Sequence, residues 1–281
     1  MTSKINSKLI LGTAQFGKPY GLNNIKKKRI PKYLIKKILN YCINNNIVHL
    51  DTAIEYDFDL NLLKKNKTWI IDTKIIIEND KYFLAKTIKK INFIKKFKNI
   101  KINTIYIHNP QKIFSKNGLL LLKLLTQIKK SKLIKNIGIS VYDVKKMLKI
   151  LKKIKIDVVQ LPYNILDRRF EKSFNLLKKK RIKIYARSIF LQGLIVSKLK
   201  NKLTNSKEIK KINEFSLKNK ISKLKLCLTF VKKNNLLNKI IIGADNLEQL
   251  KEILNVKKYL SSLSFRNLKS SNLNIIDPRR W

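Results

Sequence analysis

The sequence predicts an α/β protein folded as a single-domain (β/α)8 barrel, and three observations carry that expectation. Eight short apolar runs alternate with longer amphipathic stretches, the pattern of parallel strands buried on both faces and joined by helices. The 281 residues suffice for such a barrel, which typically needs about 250. The Gly-rich turn GxGxxG that marks an open dinucleotide-binding sheet is absent, and the chain has only seven glycines. An open doubly wound sheet is the alternative that the same alternation allows.

Strands are expected at 9–12, 47–51, 69–73, 104–108, 137–141, 158–161, 182–186 and 240–243, each apolar or rich in Ile and Val. Between the first two, residues 31–45 begin with Pro in the first turn and carry Leu34, Ile38, Leu39 and Cys42 on one side. Only eighteen residues lead from Tyr56 to Lys74, so the second helix should be contracted. Stretches 82–97, 119–130, 144–152, 171–180 and 246–254 set an apolar stripe against a basic face. The span 198–233 exceeds one barrel helix and reads as an insertion after the seventh strand plus the helix preceding the eighth. With no repeat or Pro/Gly/Ser-rich linker, one domain is expected, its core at about 8–256 and a tail at 257–281 lying over the barrel.

Sixty-four basic residues against 17 acidic ones give a net charge of +47, which invites a polyanion partner. The cations are spread over the whole length, however, and only eight are Arg, the residue that reads base edges and clamps phosphates. Lys, Ile and Asn dominate together, and A+T-rich codons specify all three. Compositional bias with Lys on solvated helix faces explains the charge, and a nucleic-acid partner is not expected. Cys42 and Cys227 stand far apart without a CxxC, as small buried side chains of a reducing compartment. No apolar run fits a signal peptide before the first strand, and none reaches about 18 residues, so a cytoplasmic protein without a membrane span is expected.

In a barrel of this kind, chemistry belongs to the C-terminal ends of the strands. Asp51 ends the second strand, Lys74 the third, His108 the fourth, Ser140 the fifth, Gln160 the sixth, and Arg187 with Ser188 the seventh. Tyr56 follows Asp51 by five residues. Each has an ordinary explanation alone: a helix cap, a surface lysine, a turn histidine, a packed ring. A carboxylate, an ammonium, an imidazole and a phenol converging on one rim form a proton-transfer set. His49, two residues before Asp51, shares its face but lies deeper, and it has no second ligand for a metal.

The segments LGTAQFGKPYG, DTAIEY, DTK, IYIHNP, GISVY, VVQLPYN, RSIFLQGL and IIGADNLEQLKEIL, in this order from Leu9 to about Leu254, resemble the aldo-keto reductase family. The resemblance implies a (β/α)8 barrel binding NADPH, or alternatively NADH, across the strand ends and reducing a small-molecule carbonyl compound. RSIFLQGL and the closing DPRRW are similar to a bacterial branch associated with surface-polysaccharide and sugar-nucleotide genes. That likeness leaves a barrel with altered chemistry as a second reading. It implies nothing about oligomeric state beyond the family's monomeric default.

By resemblance, Tyr56 is the proton donor, Lys74 the cation lowering its pKa from about 10, Asp51 the anchor of Lys74, and His108 a hydrogen-bond donor to the carbonyl. Ser140 and Gln160 take the positions that hold the nicotinamide carboxamide. Ser188, Phe190 and Gly193 match the loop along the pyrophosphate, and Gly243 to Gln249 the segment receiving the adenosine 2′-phosphate.

The sequence departs from the family pattern in four places. Asp57 replaces the glycine after the tyrosine, with Phe58-Asp59-Leu60 following, and the second helix is short. Arg187 replaces the aromatic ring that stacks on the nicotinamide, and can itself stack or pair with an acidic substrate group. Gly243 and Gln249 replace a Lys and an Arg of the 2′-phosphate clamp, and Ile253 an Asn near the adenine, with Lys251 left nearby.

Overall fold

In the computed structural model, which describes residues 8–22, 24, 28–256 and 262–281, eight strands close into a barrel in sequence order. They are β1 (Leu9–Gly12), β2 (His49–Asp51), β3 (Trp69–Ile75), β4 (Ile100–Ile107), β5 (Asn136–Ser140), β6 (Val158–Pro162), β7 (Lys183–Arg187) and β8 (Lys239–Ile242). All neighbours are parallel, and β8 returns to β1 with Ile240 opposite Leu9, so the open-sheet alternative is excluded. The start of the expected tail (257–261) lies outside the described residues.

Around the barrel run α1 (Ala14–Gly17), α2 (Lys32–Asn44), α3 (Phe83–Lys95), α4 (Lys116–Lys130), α5 (Val144–Lys153), α6 (Phe174–Lys179), α7 (Lys207–Lys218), α8 (Lys223–Lys233), α9 (Leu247–Leu254) and α10 (Leu273–Ile276). Several starts are fixed by side chains that accept from backbone N–H groups. Ser115 caps α4, Asp143 α5, Ser206 α7, Ser222 α8 and Asn246 α9, each worth about 1 kcal/mol. The cap at Ser222 divides the long 198–233 stretch into two helices. In α5, Met147, Ile150 and Leu151 are buried while Lys145, Lys146, Lys149 and Lys152 face water. Helices of this type carry the basic charge on their solvated side.

One crossover departs from expectation. Between β2 and β3 there is no contracted α-helix, only the 3-10 turns Ile54–Tyr56 and Leu60–Leu62. Asp57 between them adopts a left-handed conformation (φ 58°), and the Asp59 carboxylate accepts from the Asn61 backbone N–H. Both features stop helical propagation.

Strand side chains alternate between the barrel interior and the helix layer. Inside, Ile10, Tyr106, Val158, Tyr185 and Ile241 form a small buried cluster separate from the main core. Opposite Tyr106 in the β4–β5 register stands Gly138. A Cβ there would lie 2.4 Å from Tyr106 Cδ1, so the ring occupies the room that the missing side chain leaves. Gly138→Ala should therefore cost about 1–3 kcal/mol by overpacking. Urea unfolding tests this, and the Gly138→Ala/Tyr106→Leu double variant should lose less than the sum of the single changes.

Candidate active site

The two-residue period stacks inward positions in pairs: Ile10 below Gly12, His49 below Asp51, Asp72 below Lys74, Tyr106 below His108. On the other side Gly138 lies below Ser140, Val158 below Gln160, Tyr185 below Arg187, and Ile241 below Gly243. The lower members floor the barrel. Among them His49 Nε2 lies 2.9 Å from Asp72 Oδ2, in the structural position expected for this histidine. The upper members all line one cavity of about 680 Å³ at the C-terminal mouth. Tyr56, Ser188, Phe190, Gly193 and Gln249 line it too, so the catalytic and cofactor-binding candidates drawn from the sequence meet in a single space.

At its centre lies a buried ion pair. Lys74 Nζ donates to Asp51 Oδ2 at 2.7 Å and to the Thr52 carbonyl at 2.9 Å. Gln160 Nε2 reaches across the barrel to Asp51 Oδ1 at 2.7 Å, while Ser140 Oγ lies 3.5 Å from Gln160 Oε1. The Gln160 amide nitrogen is thus engaged by the carboxylate. The Tyr56 ring centroid is 5.2 Å from Lys74 Nζ, within cation–π range.

Burial opposes the Lys74 charge, but Asp51 and Tyr56 more than offset it and hold the ammonium above its ordinary pKa. For Tyr56 burial raises the phenol pKa and Lys74 lowers it, with a net shift upward. Lys74 acts on the phenol in the expected direction, and desolvation outweighs it. Burial, followed by Lys74 and Arg187, lowers His108 to about 4, so the imidazole is neutral at neutral pH. Its buried Nδ1 meets no hydrogen-bond partner among the described residues.

The turn that aims Tyr56 survives the replacement at Asp57. Asp57 takes the left-handed conformation that glycine favours (φ 58°, ψ 33°). Gly17 of α1 packs directly on this turn; a Cβ there would fall 1.7 Å from the Tyr56 carbonyl oxygen. Phe16 packs on Phe58 at 5.5 Å, and Arg29 pairs with Asp57 at 3.0 Å. Sequence reasoning missed Gly17, whose only signal was its place in the GKPYG segment.

It also passed over Tyr20, Tyr142, Asp245 and Glu252, which line the same cavity. The segment 188–193 bends over it with Ser188, Leu191, Gln192 and Gly193 at positive φ, and Asn164 Nδ2 donates to the Ser188 carbonyl. At the start of α9, Gln249 Oε1 accepts from the Asp245 N–H at 2.8 Å. Among the described residues, no group of three or more His, Cys, Asp or Glu is placed to hold a metal. Nor is any helix among them long and apolar enough to cross a membrane.

A closed parallel barrel with these groups at its C-terminal mouth is a candidate proton-transfer site. The Aldo/keto reductase family matches residues 8–272, and the chain belongs to that family: it is an oxidoreductase of the carbonyl-reducing kind. A comparison with curated proteins found no match. Among solved structures, the holo form of an aldo-keto reductase from Bacillus halodurans is similar at 17% identity and a TM-score of 0.72, covering 98% of this chain and 95% of that one. A glycerol dehydrogenase from Gluconobacter oxydans is similar at 17% identity and 0.66, covering 96% and 92%. A thermostable aldo-keto reductase bound to the inhibitor epalrestat aligns at 20% identity and 0.66, covering 93% of each chain.

The His108 environment predicts a pH dependence of stability. Its folded pKa of about 4 lies below the ordinary 6.5, so its contribution is complete above 6.5 and lost as pH falls towards 4. The urea midpoint should drop across that window, and His108→Gln should flatten the drop.

Proposed function

We propose that this enzyme reduces an aldehyde or ketone to the alcohol with a nicotinamide dinucleotide, Tyr56 donating the proton. The observation that carries this reading is the buried Lys74 ammonium held between the Asp51 carboxylate and the Tyr56 ring, at the mouth of a closed barrel. The residues fit such a cofactor. Gly193 and Gly243 line the cavity, the segment 188–193 beside it holds four residues at positive φ, and α9 begins beside it. When bound, the nicotinamide supplies hydride to the carbonyl carbon.

The protein's own groups manage the oxygen. Tyr56, kept protonated by burial, holds the proton to be given. Lys74 then stabilises the phenolate left behind, while Asp51 and the Thr52 carbonyl keep the ammonium in place. Neutral His108 donates a hydrogen bond to the same oxygen and opposes its growing negative charge. Gln160 steadies Asp51 from the opposite wall. The buried free thiols Cys42 and Cys227 fit a reducing compartment, and we assign the enzyme to the cytoplasm.

Tyr56→Phe should lower carbonyl reduction by at least about 100-fold while changing cofactor affinity little. Steady-state turnover and a fluorescence titration of the purified variant test this, and retained turnover overturns the assignment.

The cofactor expectation shifts from NADPH towards NADH. Asp245 and Glu252 line the cavity beside α9, in the region assigned to the 2′-phosphate by resemblance, and Gln249 is engaged by Asp245. An added phosphate dianion meets Asp245 and Glu252 there, with Lys198 and Lys223 of the same cavity opposing them. NADH should bind at least as tightly as NADPH; a Kd for NADPH more than tenfold lower contradicts this reading.

A further inference from the structure

A chain of alternating charges runs from the C-terminal tail to the cavity wall. Asp167 holds Arg169 through Oδ1 and Oδ2, at 2.9 and 2.8 Å. Arg169 reaches Asp277 of the tail at 3.4 Å, and Asp277 in turn accepts from Arg279 Nε at 2.8 Å. The Arg279 guanidinium carbon lies 3.9 Å from the centroid of Tyr142, and that of Arg187 lies 4.0 Å from the same centroid. Asp277 is 2% exposed, so the tail is anchored by a buried carboxylate.

Every cation in this chain meets a carboxylate except the last. Among the described residues Arg187 forms no ion pair; it donates to Ser188 Oγ and the Val141 carbonyl, and it lines the cavity together with Lys74 and His108. A guanidinium held within 4.0 Å of a ring centroid, with a second cation on that ring and no ion-pair partner among the described residues, is a preformed anion receptor. The Lys74 charge close by is already balanced by Asp51.

We propose that Arg187, positioned through Tyr142 by Arg279 of the tail, receives a carboxylate or phosphate carried by the carbonyl substrate. This rests on the reductase reading above and narrows its substrate to anionic aldehydes or ketones. The Arg187 charge is also felt at His108, which it helps to keep neutral. Receptor and carbonyl-orienting group therefore belong to one electrostatic unit.

The test compares substrates that differ only in the anion: 4-oxobutanoate against butanal, and glyceraldehyde 3-phosphate against glyceraldehyde. The wild type should favour the anionic member of at least one pair at least tenfold in kcat/KM, and the favoured pair identifies carboxylate or phosphate. Arg187→Met should abolish that ratio and Arg187→Lys retain part of it. Arg279→Met should raise KM for the favoured anionic aldehyde more than for its neutral counterpart, a split that simple loss of folding does not produce. Calorimetric titration with succinate and inorganic phosphate provides a readout independent of turnover. One of them should bind the wild type and bind Arg187→Met at least tenfold more weakly. Thermal melts verify folding of each variant.

An unchanged ratio or unchanged anion binding in Arg187→Met overturns the proposal. So does loss of NADH affinity with the ratio intact, which assigns the guanidinium to the cofactor. If the wild type binds neither NADH nor NADPH and reduces none of the four aldehydes, the proposed nicotinamide-dependent reduction fails, and the anion titrations still decide the receptor.

Discussion

An ammonium group shut away from water survives only where fixed negative charge and acceptors replace its hydration. Lys74 is 2% exposed and meets that condition through Asp51 and the Thr52 carbonyl. Removing one partner of such a pair typically costs about 3–5 kcal/mol, because the other is left buried and unbalanced. The pair comes from the ends of two adjacent strands, and its carboxylate is held by Gln160 from the far wall. Only a barrel closed in the observed register brings the three together, so site and architecture constrain each other.

The same constraint divides the interior into layers. Apolar and aromatic side chains fill the buried lower positions, with the His49–Asp72 pair as the polar exception. The upper positions hold the groups that donate, accept or carry charge, and the segment 188–193 lines the same cavity. The site is dry enough for Coulomb forces to be strong, and open enough to admit a small molecule.

Much of this was legible in the chain. Strand ends and alternation are local properties, so Asp51, Lys74, His108, Ser140, Gln160 and Arg187 could be assigned to one rim before any coordinates. What escaped depends on distant partners or on sums of opposing terms. The Gln160–Asp51 bond spans 109 positions, and the contact of Gly17 with the Tyr56 turn links two crossovers that no periodicity connects. The sign of the Tyr56 shift depends on how far burial outweighs a nearby cation, which composition does not reveal. The missing helix between β2 and β3 was hidden because a contracted crossover and a pair of 3-10 turns have the same length.

The backbone contact at Gly17 has a consequence for how the chain tolerates change. Tyr56 takes its direction from packing of main chain on main chain, backed by the left-handed turn at Asp57. The Phe16–Phe58 packing and the Arg29–Asp57 pair support that turn, and Gly17 leaves no room for a Cβ. Genetic drift towards lysine and asparagine can rewrite the outer helix faces without moving the tyrosine. The candidate site then sits apart from the solvated faces where lysine accumulates, and its vulnerable point is a residue that does no chemistry.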